Sequence, residues 1–335
     1  MDLINHQFRL AARPMGLPKK SDWKYTQEPV PDPGPGQVVI KILYISLDPA
    51  MRGWMNEGRT YIEPVEIGAV MRAGALGRVI ASQNPSYSVG DHVTGVLGVQ
   101  EYAVSDGKGL NKVDSRLAPL PVFMSVLGMT GMTAYFGLLE VGAPRSGDTV
   151  VVSGAAGATG MVAGQIAKIK GCRVVGIAGG AEKCAYIKDQ LGFDAAIDYK
   201  AEDLKQALRT HCPNGVNVYF DNVGGDTLDA VLVHLARGAR VVLCGAISQY
   251  NTTSGIKGPT NYLSLLMNSA RMEGFIVFNY ASRYAEAARE MAGWLAQGKL
   301  KSREEIVKGF ADFPEHLLRL FKGENTGKLL IKVAD

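Results

Sequence analysis

The sequence predicts an α/β protein in which a doubly wound parallel sheet is joined to a smaller, β-rich domain. Three observations predict it. The chain has 335 residues, more than a single hydrophobic core normally supports. Short strands separated by turn residues fill residues 1–124, whereas strands and helices alternate from residue 125 onwards. An apolar, β-branched run at 149–153 leads through a turn of small residues into a helix, as in a βαβ unit.

The β-rich domain is predicted from strand-like runs with turn clusters between them. The longest run, residues 37–46, follows a Pro/Gly-rich turn at 31–36. Further strands are predicted at 74–80, 92–99 and 101–104, and the tail adds two that return to this domain, at 306–310 and 328–333. We therefore assign residues 1–124 and 306–335 to the β-rich domain and residues 125–305 to the parallel sheet.

The parallel-sheet domain is predicted from alternating strands and helices. A strand at 149–153, a helix after it and a second strand at 172–178 form the first βαβ unit. Later strands are predicted at 195–198, 216–221 and 239–245, helices at 182–191, 203–211 and 227–235, and a surface helix at 284–296. This alternation is typical of a doubly wound sheet.

The turn after the first strand carries a nucleotide-binding motif. It reads Ala155-x-Gly157-x-x-Gly160, which is the dinucleotide fingerprint with alanine for its first glycine. Gly157 lets the backbone approach a pyrophosphate, and Gly160 lets the helix pack closely on the strand. The free N–H groups and the dipole at the start of that helix attract an anion. The motif and its context predict a Rossmann domain that binds a dinucleotide.

The residues after the second strand indicate which dinucleotide. An NAD site usually has Asp or Glu there to bind the ribose 2′-OH, but Ala178 is followed by Gly179-Gly180. Lys183 comes shortly afterwards and can neutralise a 2′-phosphate, which favours NADP. Glu182 is a rival that could hold a ribose hydroxyl, and Lys183 could equally be a solvated helix residue.

Polar residues follow two later strands of the sheet. Asn222 comes directly after one strand, and Tyr250 ends the run that begins at Cys244. Ligands of open α/β sheets bind outside the carboxyl ends of strands, so both residues are candidates for contact with cofactor or substrate. Ordinary loop polarity is the other reading of these two runs.

Composition excludes several classes of protein. The net charge of +4 comes from scattered Lys and Arg residues, which does not indicate nucleic-acid binding. No apolar run has the length of a signal peptide or a membrane span. The 4 cysteines are far apart and lack the spacing of a metal site, as expected for reduced residues in a cytoplasmic protein.

Several short motifs are spread along nearly the whole chain. They are Ser46-Leu47-Asp48-Pro49, Met51-Arg52-Gly53, and residues 127–135, 164–172, 222–225, 244–248, 271–275 and 323–328. In these motifs the chain resembles the zinc-independent medium-chain dehydrogenase/reductases, specifically the branch of NADPH-dependent alkenal/one double-bond reductases. That branch includes leukotriene B4 dehydrogenase/prostaglandin reductases and curcumin reductase. The resemblance implies a Rossmann domain with a GroES-like barrel, and hydride transfer from NADPH to the β-carbon of α,β-unsaturated aldehydes and ketones.

The resemblance also implies roles for individual residues. The pyrophosphate would be held by Gly157, Ala158, Thr159 and Gly160, and the 2′-phosphate and adenosine end by Lys183 and Tyr199. The rest of the cofactor would be lined by Asn222, Cys244, Gly245, Ala246, Ile247, Ser248, Tyr250, Phe275, Ile276, Val277 and Asn325. Tyr61 and Tyr250 match tyrosines of the family's active-site region, which makes them the candidates for contacting the substrate carbonyl. A homodimer is also implied, with residues 261–278 forming either part of the subunit interface or a buried helix of one subunit.

Two departures from related sequences bear on function. The zinc enzymes of the superfamily have a Cys before the Asp and a Gly-His-Glu about twenty residues later, whereas this chain has Ser46 and no His at 66–68. A catalytic zinc is therefore not expected. Many relatives have a Tyr where this chain has Ala50, which predicts a roomier substrate pocket. A quinone reductase of the same superfamily and a non-catalytic NADP(H)-binding protein remain the alternative functions.

Overall fold

A computed structural model of the chain describes residues 2–58 and 60–334, which form two compact units. The β-rich unit contains the residues up to Met124 and those from Glu304 onwards, and the parallel-sheet unit is Ser125–Arg303. The second boundary lies two residues before 306, because the strand of the tail begins at Glu304. The predicted fold class, a doubly wound parallel sheet together with a β-rich domain, is confirmed. Among the helices of the described residues, none has both the length and the apolar character needed to cross a bilayer.

The N-terminal part of the β-rich unit is built from strands and one short helix. They are β1 Ile4–Leu10, β2 Trp23–Pro29, β3 Val38–Ser46, α1 Ala50–Trp54, β4 Gly74–Ser82, β5 His92–Val96, β6 Tyr102–Ser105 and β7 Asn111–Val113. β1 and β2 pair with each other in antiparallel fashion. β3 is buried at seven of its nine positions because it is covered on both faces, as its continuous apolar run predicts.

The parallel-sheet unit follows without interruption. Its elements are α2 Met129–Phe136, β8 Thr149–Ser153, α3 Ala158–Ile169, β9 Arg173–Ala178, α4 Ala181–Ala185, β10 Ala195–Asp198, α5 Leu204–His211, β11 Val216–Asp221, α6 Gly225–Leu232, β12 Leu235–Leu243, α7 Leu263–Met267, β13 Arg271–Gly274 and α8 Tyr284–Ala296. π-Helical segments continue α2 through Gly137–Gly142 and α4 through Tyr186–Gln190. Short 3₁₀ turns in the chain include Ile247–Gln249 and Val277–Arg283.

The parallel sheet has the strand order β10-β9-β8-β11-β12-β13, and every neighbouring pair is parallel. The order reverses between β8 and β11. In open α/β sheets a ligand binds outside the carboxyl ends of the strands at such a switch point. A ligand is therefore expected to bind at the residues that follow β8 and β11.

One predicted helix boundary is wrong. The sequence pattern predicts a helix over 227–235, but α6 ends at Leu232 and Leu235 already begins β12. Leu235 pairs with Val216 of β11, and the register shifts before the next pair. Pairing with the neighbouring strand thus overrides the local helical pattern, which could not be seen from the segment alone.

The tail completes the β-rich unit. It contains β14 Glu304–Lys308, α9 Phe313–Lys322 and β15 Lys328–Lys332. These strands extend the larger sheet, whose order is β14-β15-β3-β4-β5-β7 with β6 pairing on β3. α9 is not among the predicted elements, although Phe313, Leu317 and Leu320 form a buried stripe at helical spacing. Its Phe313 ring packs edge-on against Trp23, at 5.0 Å between ring centroids.

Candidate functional site

The turn between β8 and α3 (residues 154–157, the β8–α3 turn) is shaped by small residues. All five residues of β8 are buried, and Gly154 follows them with a φ of 58°, a left-handed conformation that favours glycine. The Gly157 N–H donates to the Gly154 carbonyl oxygen at 2.9 Å, which closes the turn. A Cβ atom on Gly160 would lie 2.3 Å from that same oxygen, so only glycine lets α3 start this close to the strand.

The start of α3 fits an anion. Gly157 is its N-cap residue, and no side chain caps the helix. The first backbone N–H groups of a helix have no partner within it, and the helix dipole adds positive potential there. Ala158 and Thr159, in this first turn, are only half-buried. All four residues that are predicted to hold the pyrophosphate lie at this helix start. Gly154, whose positive φ makes the tight turn, was not among the predicted residues.

Asn222 lies beside the β8–α3 turn. Its side-chain amide donates to the Ser153 carbonyl oxygen at 2.7 Å, and its backbone N–H donates to the Ser153 hydroxyl at 2.9 Å. The turn after β11 (residues 222–224, the β11–α6 turn) is therefore bound to the end of β8. The structure places this predicted residue at the switch point of the sheet, as the polar run after the strand predicts.

The second polar run, residues 244–250, is bound to the β11–α6 turn. The Ile247 N–H donates to the Asn222 carbonyl oxygen at 3.2 Å, and the Ser248 hydroxyl donates to the Val223 carbonyl oxygen at 2.6 Å. The Tyr250 hydroxyl oxygen accepts the Ala246 N–H at 3.1 Å. Both predicted runs therefore lie together at the carboxyl end of the sheet, with Gly245 packed against the Tyr250 hydroxyl.

The Cys244 thiol at the start of this run is a poor nucleophile. Burial, together with the nearby carboxylate of Asp221, raises the pKa of the Cys244 thiol to about 12. A thiol with so high a pKa carries almost no thiolate at neutral pH and is a poor nucleophile. Cys244 can thus line a cofactor site by its volume, but it is not suited to covalent chemistry.

Lys183 and Tyr199 lie at the ends of β9 and β10. Lys183 is half-buried on α4, and Tyr199 directly follows β10 with half of its surface exposed. The Tyr199 ring packs over Gly179, where a Cβ atom would lie 2.8 Å from it. Glu182, the rival for a ribose hydroxyl, is exposed on the same helix.

An acidic residue near this position was missed by the sequence analysis. Asp198 ends β10, the strand next to β9, and its Oδ1 accepts the N–H groups of Gly180 and Lys200 at 2.8 and 3.0 Å. Its carboxylate therefore fixes the glycine turn after β9. Asp198 belongs to the neighbouring strand β10, so the residues that follow β9 in the sequence do not reveal it.

Residues 275–277 follow the edge strand β13. The Phe275 ring packs on Gly137, where a Cβ atom would lie 2.4 Å from it. The Val277 carbonyl oxygen accepts the Tyr284 hydroxyl at 3.0 Å, and Ile276 is the exposed member of the three. Phe275 is thus held by helix packing, and Ile276 is the one of these predicted residues that is most available to a ligand.

The β-rich unit carries the other candidates. Tyr61 is 54% exposed, and its hydroxyl oxygen accepts the Trp54 indole N–H at 3.3 Å. Ala50 is the first residue of α1 and is half-buried. Asn325 precedes β15, and its amide donates to the Gly327 carbonyl oxygen at 3.0 Å. Each of these positions is accessible within its own unit, as a ligand contact requires.

Ser46 stands where zinc relatives have cysteine, and its surroundings do not fit a metal. The Ser46 hydroxyl donates to the Asp48 carboxylate. The buried Lys328 ammonium donates to the same carboxylate at 2.5 Å and to the Leu47 carbonyl oxygen at 3.0 Å. The nearest acidic group is therefore already neutralised by a fixed cation. Within residues 2–58 and 60–334, no three His, Cys, Asp or Glu side chains are grouped as a metal would require.

Comparison with known proteins adds family relationships to this geometry. Residues 6–113 match the family model described as the N-terminal domain of oxidoreductase, and residues 158–293 match that of zinc-binding dehydrogenase. The NADPH-dependent curcumin reductase of Escherichia coli (strain K12) is 44% identical over 336 residues, covering 98% of this chain and 97% of the relative. The 2-alkenal reductase (NADP(+)-dependent) of Nicotiana tabacum is 39% identical over 341 residues, covering 99% and 98%.

A solved structure is similar along the whole chain. It is the crystal structure of CurA in complex with NADPH from Vibrio vulnificus, which superposes with a TM-score of 0.93 at 44% identity. The similarity covers 98% of this chain and 99% of that one. Both units, and not the nucleotide-binding part alone, are therefore shared with these relatives.

Proposed function

Because the chain belongs to the medium-chain dehydrogenase/reductase family, in its alkenal reductase branch, we propose that it reduces the C=C bond of α,β-unsaturated aldehydes and ketones with NADPH. The observation that carries the proposal is the similarity over 99% of the chain to a reductase named for 2-alkenals. A 2-alkenal is an aldehyde with a C=C bond next to its carbonyl group. The substrate class assigned here is the wider class of conjugated aldehydes and ketones.

The residues after β8 and β9 support NADPH as the cofactor. The uncapped start of α3 at Gly157 suits the pyrophosphate, and the half-buried Lys183 suits the 2′-phosphate. The Tyr199 ring packs over Gly179, in the turn that precedes the helix of Lys183, and there it suits the adenosine end. NADPH, when bound, supplies the hydride that is added to the β-carbon of the substrate. The protein must then stabilise the negative charge that develops on the substrate oxygen.

Hydrogen-bond donors, rather than a metal, serve that purpose in our proposal. Tyr61 and Tyr250 each accept an N–H at the phenol oxygen, from Trp54 and from the Ala246 backbone. A hydroxyl that accepts a hydrogen bond becomes a stronger donor, because the bonds polarise one another. Either phenol O–H can therefore donate to the carbonyl oxygen as it becomes an enolate oxygen. The proton that returns to the α-carbon comes from water.

The test is a substrate screen with NADPH. Purified protein is mixed with NADPH and a small enal, a bulky enone or a quinone, and loss of NADPH absorbance is followed. We expect turnover with the enal and the enone, and a saturated aldehyde or ketone as the product. Turnover with the quinone alone would instead identify a quinone reductase. NADPH binding without turnover on any substrate would indicate a non-catalytic binding protein.

A chelator is expected to leave this activity unchanged. The site around Ser46 lacks zinc ligands, and the Lys328 ammonium already occupies the neighbouring carboxylate. The rate with a saturating enal is measured before and after prolonged dialysis against a strong chelator, and again after zinc is added. A rate that falls on dialysis and recovers with zinc would contradict the assignment of a metal-free mechanism.

Tyrosine at position 50 is expected to narrow the substrate range. Ala50 is half-buried at the start of α1, so position 50 keeps accessible surface at which a larger side chain can be placed. A phenol added to a pocket clashes with a bulky enone, at a cost of ~1–3 kcal/mol, but adds contact to a small enal. Ala50→Tyr should thus lower kcat/KM for the bulky enone about tenfold relative to the small enal. Equal losses for both substrates with a lowered Tm would show that position 50 belongs to the packed core.

We also propose that the protein is a homodimer, and an exposed apolar surface supports this. Leu266 and Met267 on α7 are 77% and 74% exposed, and Leu263 is 54% exposed. In the chain these residues precede β13, which among residues 2–58 and 60–334 is an edge strand that pairs with β12. Exposed apolar side chains and an unpaired strand edge are each features of surfaces that another chain covers.

The oligomeric state is measured by light scattering at micromolar concentration. We expect a dimer mass for the unchanged protein and a monomer mass for Leu266→Glu, which places a charge in the proposed interface. Leu117→Glu is the matched control, because Leu117 is equally exposed, at 79%, but lies in the β-rich unit. A monomer mass for the unchanged protein would rule out the dimer.

A further inference from the structure

Two fully buried polar residues connect the ends of β8 and β11. Ser153 is the last residue of β8 and Asp221 the last of β11, and neither has solvent exposure. The Ser153 hydroxyl donates to the Asp221 Oδ1 atom at 2.9 Å. Burying a carboxyl group costs free energy unless the group is hydrogen-bonded. A fully buried carboxyl group at the end of β11 therefore indicates a specific structural role.

The hydrogen bonds of Asp221 are concentrated on one oxygen. Oδ1 also accepts the Tyr219 hydroxyl at 2.7 Å and the backbone N–H groups of Val223 and Gly224, both at 3.0 Å. The other oxygen, Oδ2, is buried and has no partner among residues 2–58 and 60–334. Burial raises the pKa of Asp221, against the opposing effect of these hydrogen bonds. The Ser153 hydroxyl at the end of β8 and two backbone N–H groups of the β11–α6 turn therefore donate to the same oxygen atom.

The Ser153 hydroxyl has a second contact that the other donors lack. It accepts the backbone N–H of Asn222 at 2.9 Å while donating to Asp221. The Tyr219 hydroxyl also donates to Asp221, but both of those residues belong to β11. The Ser153 hydroxyl therefore joins the two turns, alongside the Asn222 side-chain amide that donates to the Ser153 carbonyl oxygen. The Tyr219 hydroxyl supports the carboxyl from its own strand and also hydrogen-bonds with Ser153.

We propose that Ser153 and Asp221 are positioning residues that hold the β8–α3 turn and the β11–α6 turn at the separation that bound NADPH requires. The inference rests on the proposed function, because it assumes that NADPH spans these turns at the switch point of the sheet. Neither residue needs to touch the cofactor. Their effect passes through the backbone of residues 154–157 and of Asn222.

The test compares two variants that each remove one hydroxyl donor from the same carboxyl oxygen. Ser153→Ala also removes the acceptor of the Asn222 backbone N–H, whereas Tyr219→Phe leaves in place both that bond and the bond from the Ser153 hydroxyl to Asp221. The dissociation constant for NADPH is measured by fluorescence titration, and Tm is measured for both variants. We expect Ser153→Ala to weaken NADPH binding about tenfold, and Tyr219→Phe less than about twofold. In turnover, Ser153→Ala should raise KM for NADPH and leave kcat at saturation within about twofold.

The outcomes separate the inference from the function on which it rests. NADPH affinities that change by the same factor in both variants would overturn the positioning role, while the unchanged protein still binds and turns over NADPH. Failure of the unchanged protein to bind NADPH would instead remove the proposed function. If Ser153→Ala does not fold, Ser153→Cys, which keeps a weaker donor and acceptor in a similar volume, takes its place. An unaltered NADPH affinity in that variant, at unaltered Tm, would also overturn the inference, because weaker bonds at the joint would then have no effect.

Discussion

Replacing Gly160 with alanine is expected to destabilise the parallel-sheet unit and to remove measurable NADPH binding. The added Cβ atom would lie 2.3 Å from the Gly154 carbonyl oxygen, 2.9 Å from its carbonyl carbon and 3.0 Å from the Ala155 Cα. All three are backbone atoms of the β8–α3 turn, so no side chain can rotate to relieve the clash. α3 must move away from β8 or the turn must open, and overpacking of this kind costs ~1–3 kcal/mol or more. Tm should fall by roughly 2–4 °C for each kcal/mol.

The matched control is Gly157→Ala, at the N-cap residue of α3, three residues before Gly160. Gly157 has a φ of −85°, which any residue adopts, and its Cβ atom would meet one atom, the Gly154 oxygen, at 3.2 Å. This variant should keep its Tm within a few degrees, because only a small adjustment is needed. It should still bind NADPH more weakly, since a methyl group then lies at the start of α3, where the pyrophosphate approaches the backbone. Normal NADPH affinity in both variants would show that the pyrophosphate binds elsewhere.

The βαβ unit that contains this turn could be predicted from the sequence because its signals are local. The β-branched run at 149–153 coincides with β8, and the helix predicted after the small-residue turn is α3. The same holds for β10 and β11, whose bounds match the predicted strands. Each of these elements is short, strongly apolar or periodic, and bounded by Gly or polar residues, so neighbouring residues suffice to define it.

The features that were missed depend on contacts between distant segments. β12 begins at Leu235 because this residue pairs with Val216, and α9 forms against aromatic residues from the N-terminal strands. The hydrogen bond from Ser153 to Asp221 joins residues 68 positions apart in the chain. The sequence offers one partial signal for it, since both are polar residues at the carboxyl ends of apolar strands. No local sequence pattern indicates that β8 and β11 are neighbours, so the hydrogen bond between Ser153 and Asp221 is seen only in the folded structure.

Replacing Lys183 with alanine is expected to abolish the preference for NADPH over NADH. Lys183 is half-buried on α4, directly after the strand whose end selects between the two cofactors in Rossmann domains. Asp198, the nearby acid, already accepts the N–H groups of Gly180 and Lys200, so its carboxylate is engaged in shaping the turn. We therefore expect the charge of Lys183 to distinguish a 2′-phosphate from a 2′-hydroxyl.

A charge-assisted contact of this kind contributes ~1.5–3 kcal/mol, which is about tenfold or more in affinity. The dissociation constants of Lys183→Ala for NADPH and NADH should thus differ little, with NADPH weakened and NADH nearly unchanged. Lys188→Ala is the control, because Lys188 is an exposed lysine in the π-helical segment that continues α4, and its loss changes the net charge equally. Glu182→Gln tests the rival reading: weakened NADH binding in this variant would indicate that Glu182 holds a ribose hydroxyl. Equal affinity of the unchanged protein for NADPH and NADH would contradict the role of Lys183 altogether, since no preference would then be left for the lysine to explain.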